Sequence, residues 1–475
     1  MTATKKRVDM RDLTKGPILS QILMFALPLI ATSVLQLMFN TADIVVVGRF
    51  GGETPEECAN ALAAVGSCGS LINLIITLFM GLAVGAGVCV AHDMGAKHYK
   101  DVTKVVHTAV LAASVCGVFV AVFGFLMTPT FLAWMGTNEA VMDQAILYMR
   151  AYFCGVPASM IYNYCAAMLR STGDTVRPLT FLSVSGVVNV GLNLVMVLVF
   201  HLGAMGVGIA TAASNWTSCI LILLFMLRTD GPCHLELSKL RIDKKKLKKI
   251  IFLGLPAGIQ GSLFSVSNVL IQSSMNSLGE IVVAGNTAAA NLEGYVYATQ
   301  NALYQTALTF VGQNVGARKY ERLKKCVLWC VLVVTLVGLF FGTGMYLFGH
   351  QLLGIFAPGN EVVIAAGLKK LSITCVTHFL CGIMEVGCGI MRGLGKSICP
   401  MIVSLIGSCA LRVVWVYTAF ALYPTAETLY ISYPVTWILT ASAHYIFCFI
   451  NLRKLKKRIY GTPQHQEQSP AKAAV

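Results

Sequence analysis

The sequence predicts an all-α polytopic membrane protein with twelve transmembrane helices in two six-helix lobes related as parallel repeats. Three observations predict it. Of 475 residues, 56% are hydrophobic and 12% charged, with a mean hydropathy of +0.72, whereas soluble domains carry roughly 25% charged residues. Twelve apolar segments are each long enough to cross a hydrocarbon core of about 30 Å. The second half of the chain also repeats motifs of the first.

The apolar segments lie near 18–47, 59–90, 103–127, 143–168, 179–200, 205–227, 249–275, 281–311, 326–348, 364–391, 400–421 and 430–450. Segment 1 follows Gly16 and Pro17 and holds Pro28, Asn40, Thr41 and Asp43 before the next charge, Arg49. Segment 4 carries Tyr152, Tyr162 and Asn163 ahead of Arg170, and segment 5 carries Asn189 and Asn193. Segments 8, 10 and 11 contain Glu293, Glu385 and Arg412. The expected division is a cytoplasmic N-tail at 1–17, an N-lobe at 18–227, a cytoplasmic linker at 228–248, a C-lobe at 249–451 and a cytoplasmic C-tail at 452–475. No small-residue cleavage site follows the first apolar run, so no removable signal peptide is expected.

The net charge of +15 is topological. Thirty-one of the 36 Lys and Arg fall in the two tails, the linker and the loops after segments 2, 4, 8 and 10, all on one side if twelve helices alternate. The tails include Lys5, Lys6, Arg7, Arg11 and Lys472. The opposite loops carry Glu53, Glu56, Glu57, Glu139, Glu361 and Glu427. This positive-inside bias places both termini in the cytoplasm of a cell inner membrane or plasma membrane. It also removes the reason to expect nucleic acid as a partner. The 16 cysteines are scattered through apolar helices without metal-ligand spacing and read as small, reduced packing groups.

The repeat is visible in three registers. His92-Asp-Met-Gly-Ala-Lys-His-Tyr99 answers Gln313-Asn-Val-Gly-Ala-Arg-Lys-Tyr320 at an offset of 221. The stretch from Met168 to Pro178 answers Ile390 to Pro400 at 222, and Leu27-Pro28 answers Leu255-Pro256 at 228. Six helices per half is an even number, so both halves enter the membrane in the same sense. Sites in such repeats lie between or within the halves.

Asp43 is the leading functional residue, because a carboxylate at membrane depth costs several kcal/mol unless it has a proton, a cation or a polar partner; the alternative is a charge near the outer end of segment 1 that reaches water and pairs with Arg49. Asn189 and Asn193, one helical turn apart, can orient that carboxylate or a cation without neutralising it. Pro28 removes one helical hydrogen bond and makes either a static kink or a bend of segment 1 that alters when Asp43 is protonated. Asn40, Tyr152, Tyr162 and Asn163 are expected to line a substrate cavity, the aromatic faces attracting a cation. Glu293, Glu385 and Arg412 are expected to form an internal C-lobe charge cluster, with Arg412 the shared partner of the glutamates. A second ion or substrate site is the alternative. Enzyme motifs are poor: no His is followed by Glu, and the glycine spacing of Gly389 to Ser397 is one residue too long for a phosphate loop.

Pro28 with Asp43, the GAKHYKD and GARKYER loops, LRSTGDTVRP and MRGLGKS together resemble the multidrug and toxic compound extrusion (MATE) family. The likeness spans nearly the whole chain and is greatest to the bacterial branch of DNA-damage-inducible and small-drug exporters. It implies a V-shaped pair of six-helix lobes, export coupled to protons or sodium, and organic cations as frequent substrates. Asp43 matches the N-lobe acid of the family, Asn189 and Asn193 a pair that reads Asn then Asp in some relatives, and Thr211 a polar group beside them. The C-lobe acid on helix 7 of other branches has no match, since 251–275 contains no Asp or Glu.

The expected function is therefore a secondary antiporter that expels an amphipathic, cationic small molecule in exchange for a proton, or for sodium bound at Asp43. A monomer in contact with membrane lipid is expected, with no cofactor, no resident metal and no enzymatic activity. A flippase for a lipid-linked precursor is the alternative. A channel or receptor is the third class, disfavoured by the duplicated halves and the lack of a filter-like segment.

Overall fold

The computed structural model describes residues 12–460. The basic tail residues Lys5, Lys6, Arg7, Arg11 and Lys472 lie outside the described residues. In chain order the helices are α1 Ile18–Phe50, α2 Pro55–Gly95, α3 Tyr99–Trp134, α4 Glu139–Ser171, α5 Val176–Leu194, α6 Gly203–Arg228, α7 Lys244–Asn276, α8 Glu280–Gly316, α9 Tyr320–Leu347, α10 Gly349–Phe356, α11 Glu361–Thr374, α12 His378–Gly393, α13 Ile398–Ser404, α14 Leu411–Trp415 and α15 Ala426–Tyr460. Helix α5 runs on into a π segment, Val195–Val199, and α14 lies between two more, Leu405–Ala410 and Val416–Phe420.

The protein is an all-α polytopic membrane protein. Among the described residues nine helices are long and apolar enough to cross a membrane, or ten if α11 and α12, bent by 48° at their junction, count as one broken span. Two further long helices, α4 and α8, have 33 and 37 residues but fall outside that set. The reason is their surroundings. Helix α4 packs among α2, α3 and α6, and α8 among α1, α2, α9, α11 and α12. A helix wrapped in protein need not be apolar all round, and α8 buries Asn286, Gln300, Gln313 and Asn314.

Segment 10 was expected as one helix and is broken at 375–377. The linker is not a free tether. Pro232 O accepts from Thr103 Oγ1 at 3.2 Å, the Glu236 backbone meets His107 Nε2, and Asp243 N donates to Thr108 Oγ1 at 3.1 Å. Helix α7 then starts at Lys244, five residues before the expected boundary, because Asp243 caps it through Lys245 N and Lys246 N.

The repeat extends to backbone detail. Lys97 and Arg318, 221 apart, are both left-handed, with φ 57° and 54°, and end α2 and α8 in the same way. Gly173 and Gly395, 222 apart, share positive φ. The π segments at Val195–Val199 and Val416–Phe420 are again 221 apart.

Helices α1 and α7 each belong to two cores. The start of α1 (Ile22, Phe25, Leu29) is buried with α8, α9, α12 and α15, Phe25 lying edge-on to Phe310 at 5.7 Å. The end of α1 (Val46, Val47) is buried with α2, α4 and α6. Helix α7 does the reverse, Ile250 and Leu253 packing in the first-half core and Ile271 and Met275 in the second. Pro28 and Pro256 lie near the two crossings.

The halves meet closely at the basic-loop end. A Cβ on Gly254 of α7 would lie 2.6 Å from Leu82 Cα of α2, so only glycine permits that crossing. Gly95 and Gly316, equivalent positions in the repeat, face each other's helices in the same manner.

Candidate functional site

Two sites emerge, one inside the first half and one between the halves. In the first, the Asp43 carboxylate on α1 accepts from Asn193 Nδ2 of α5 and, at 3.4 Å, from Thr211 Oγ1 of α6. Asn193 Nδ2 also reaches Asn189 Oδ1 at 3.5 Å. Asn189 and Asn193 are buried and Asp43 is half-buried. Among the described residues no cation pairs with Asp43, and Arg49 is not its partner. Asn193 Oδ1 is buried and has no hydrogen-bond partner among the described residues. A carboxylate with an unsatisfied carbonyl oxygen beside it can hold a proton or a small cation, since both supply what the oxygens lack.

The second site is a cavity of about 670 Å³ between α2, α4, α7, α8 and α12. Asn163 lines it, and so do Glu293, Glu385 and Arg412. Asn40, Tyr152 and Tyr162 do not. Asn40 is exposed on α1. Tyr152 packs on Tyr148, ring centroids 6.2 Å apart. Tyr162 is buried and its hydroxyl donates to Pro178 O at 2.8 Å, tying α4 to α5. The sequence placed these tyrosines on the right helix but not on the right face.

The expected pairing of Arg412 with the glutamates is corrected. Glu293 is paired with Lys370 of α11 at 3.0 Å and accepts from Thr374 Oγ1. Lys370 is buried and Glu293 half-buried, and a cation withdrawn from water is retained where a carboxylate can pair with it. Arg412 donates through Nε to Thr436 Oγ1 at 3.3 Å and lies over the Tyr433 ring, 4.4 Å from its centroid. Glu385 has no ion-pair partner among the described residues.

Two residues not singled out as site residues matter here. Arg392 is buried and donates to Tyr304 Oη at 2.5 Å and Gln260 Oε1 at 2.8 Å, with Nε unsatisfied. His378, beside the α11–α12 break, meets Gln300 Oε1 through Nδ1 at 2.9 Å. Arg392 read as one more charge of a basic loop, and only the burial of that loop reveals it.

Beyond the cavity the basic-loop end is closed. Gln313 Nε2 donates to Ser171 O at 2.8 Å and His92 Nε2 to Gly393 O at 2.7 Å. Lys246 pairs with Asp93 at 2.8 Å. Leu13 is buried against α8, and Arg322 clamps its segment through the carbonyls of Leu13, Lys15 and Gly16 and through Gln21 Oε1.

Comparison with known proteins adds three findings. A family profile described as MatE matches residues 28–195 and 256–418. A protein described as the probable multidrug resistance protein YoeA of Bacillus subtilis (strain 168) is 28% identical over 80% of this chain and 82% of its own, and the multidrug export protein MepA of Staphylococcus saprophyticus is 22% identical over 80% and 83%. Two solved structures share the fold at a TM-score of 0.87, covering 95% of this chain and all of theirs. One is an outward-facing multidrug resistance MATE family transporter of the MOP superfamily, at 20% identity. The other is a MOP superfamily transporter from Pyrococcus furiosus, at 21%, whose description reports a binding pocket of reverse polarity.

Proposed function

The chain belongs to the MatE family, and from that premise we propose that it is a secondary antiporter exporting an amphipathic small molecule in exchange for a proton or sodium. As a transporter of this family it is not an enzyme. The observation that carries the coupling is the Asp43 carboxylate held by Asn193 and Thr211, with Asn193 Oδ1 left over. Proton or sodium binding from outside would occupy Asp43, Asn189, Asn193 and Thr211 and alter the α1 bend near Pro28. Because α1 packs in both halves, that change would shift one half against the other. Coupling then follows from the differing affinity of the two states for ion and cargo.

The proposed topology has twelve spans, the ten apolar ones plus α4 and α8. They form an N-lobe at 18–227 and a C-lobe at 249–451, with the linker at 228–248 and the tails at 1–17 and 452–475 in the cytoplasm. The chain would act as a monomer in the inner or plasma membrane. Positive-inside charge supports the orientation, and closure of the basic-loop end supports an outward-open arrangement like that of the outward-facing relative. The names of the relatives support export of drugs. The DNA-damage-inducible branch and a cationic cargo rest on the resemblance alone. One observation favours the flippase reading: Arg170, Arg392 and Arg412 line the cavity, as a phosphorylated lipid precursor would require.

The test is transport of norfloxacin or ethidium by proteoliposomes under a proton gradient and a sodium gradient, imposed separately. One gradient should drive transport, and Asp43→Asn, inserted in equal amount, should abolish it. The amide keeps the size of the side chain but cannot titrate or attract a cation. Wild-type transport by Asp43→Asn would overturn the assignment.

A further inference from the structure

Five charged side chains line the central cavity: Arg170, Glu293, Glu385, Arg392 and Arg412. Glu293 is already neutralised by Lys370. What remains is three guanidiniums against one carboxylate, with His378, hydrogen-bonded to Gln300, beside them. Among the described residues no carboxylate lies within 4.0 Å of any of the three guanidiniums.

Arg412 is the best placed of them. It is 3% exposed. Its Nε is tied to Thr436 Oγ1 and its plane is fixed over the Tyr433 ring. Its two Nη groups have no protein partner among the described residues and remain reachable from the cavity. A guanidinium fixed in this way presents a planar fork that matches a carboxylate, sulfonate or phosphate with two parallel hydrogen bonds. A buried cation without an anion is costly, and a ligand that supplies the anion removes the cost. Arg392 repeats the theme deeper in the cavity, with Nε unsatisfied. It lies seven residues beyond Glu385 on the same helix, a rise of about 10 Å. The rest of the wall is suited to an apolar body, with Phe264, Met384 and Trp437 among its residues.

We infer that the cargo is an amphiphilic organic anion whose charged group is received by Arg412, with Arg392 adding positive potential. The inference rests on the proposed reading only in taking this cavity as the cargo site. It replaces the expected organic cation, because the unpaired charge of the cavity is positive.

Two fluorescent probes of one apolar body decide it: 1-pyrenebutyrate and 1-pyrenebutyltrimethylammonium, titrated into the full-length protein in detergent. Quenching of tryptophan emission, with Trp437 in the cavity wall, reads the binding. The carboxylate should bind at least about tenfold more tightly than the ammonium, the scale of one charge-assisted hydrogen bond. Arg412→Gln should lose roughly that factor for the carboxylate and leave the ammonium unchanged or tighter. Tighter binding of the ammonium to the wild type, or an undiminished carboxylate affinity in folded Arg412→Gln, would overturn the inference. If Arg412→Gln does not fold, the preference of the wild type decides alone. Asp43→Asn separates this from the coupling reading. It should keep the anion preference while losing transport, and wild-type transport by that variant would remove the coupling proposal and leave this one standing.

Discussion

Asp43 and Glu293 are two half-buried carboxylates with opposite solutions. Asp43 is held by neutral amide and hydroxyl donors, so its charge remains available to an ion. Glu293 is neutralised by a buried lysine, so its charge is spent. The expected consequence is structural. Lys370→Met strands Glu293 and should lower stability by about 3–5 kcal/mol. Glu293→Gln in the same chain should restore part of that loss. Thermal unfolding in detergent, followed by size-exclusion recovery, measures both, and additive losses would refute the pairing. The Asp43 cluster was legible in sequence because a lone carboxylate in an apolar helix demands partners, and Asn189 and Asn193 share a helix face. The partner of Glu293 was not, because Lys370 and Arg412 are both distant in sequence and only folding decides which arrives.

At the scale of elements, α1 and α7 are the unusual members, since the two ends of each are buried in different cores. Pro28 lies near the crossing, and Thr32 Oγ1 donates to its carbonyl at 2.7 Å. A helix that must bend where two bodies meet gains from a missing backbone donor. Pro28→Ala should therefore insert with an equal or higher Tm and lose coupled efflux in proteoliposomes. A variant transporting at the wild-type rate would show that transport needs no bending of α1 at Pro28. The apolar periodicity made the helices legible, but not their interruptions. The three π segments carry no Pro, and two of the three carry no Gly. Two of them, Val195–Val199 and Val416–Phe420, share the repeat offset of 221, whereas Leu405–Ala410 has no counterpart in the first half, where 184–189 is regular α-helix.

Over the whole molecule, the duplicated GAKHY and GARKY loops close one end of the cavity. The segment before α1 is drawn into that closure by Arg322, whose guanidinium binds three of its carbonyls. Arg322→Ala should release it. Hydrogen exchange should show faster amide exchange at Leu13–Gln21 and at 313–322, with the Asp43 region of α5 and α6 unchanged. Uniform protection at Leu13–Gln21 would mean that burial of Leu13, rather than the clamp, holds the segment. The same closed end explains why the central cavity reaches inward only as far as Arg392 and Ser171.

Sequence alone determined that this chain is a helical membrane protein, that its halves are duplicates, and that Asp43 requires partners. Each of those follows from local composition, periodicity or a charge in an apolar run, and none needs a distant contact. Only the tertiary structure decided that α1 and α7 cross between cores, that Tyr162 is a strut, that Glu293 belongs to Lys370, and that Arg412 stands unpaired over Tyr433. The polarity of the cavity follows from that last set. The charge a cavity presents is what remains after its buried ions have found each other, and that pairing is set by distance in the fold, not by position in the chain.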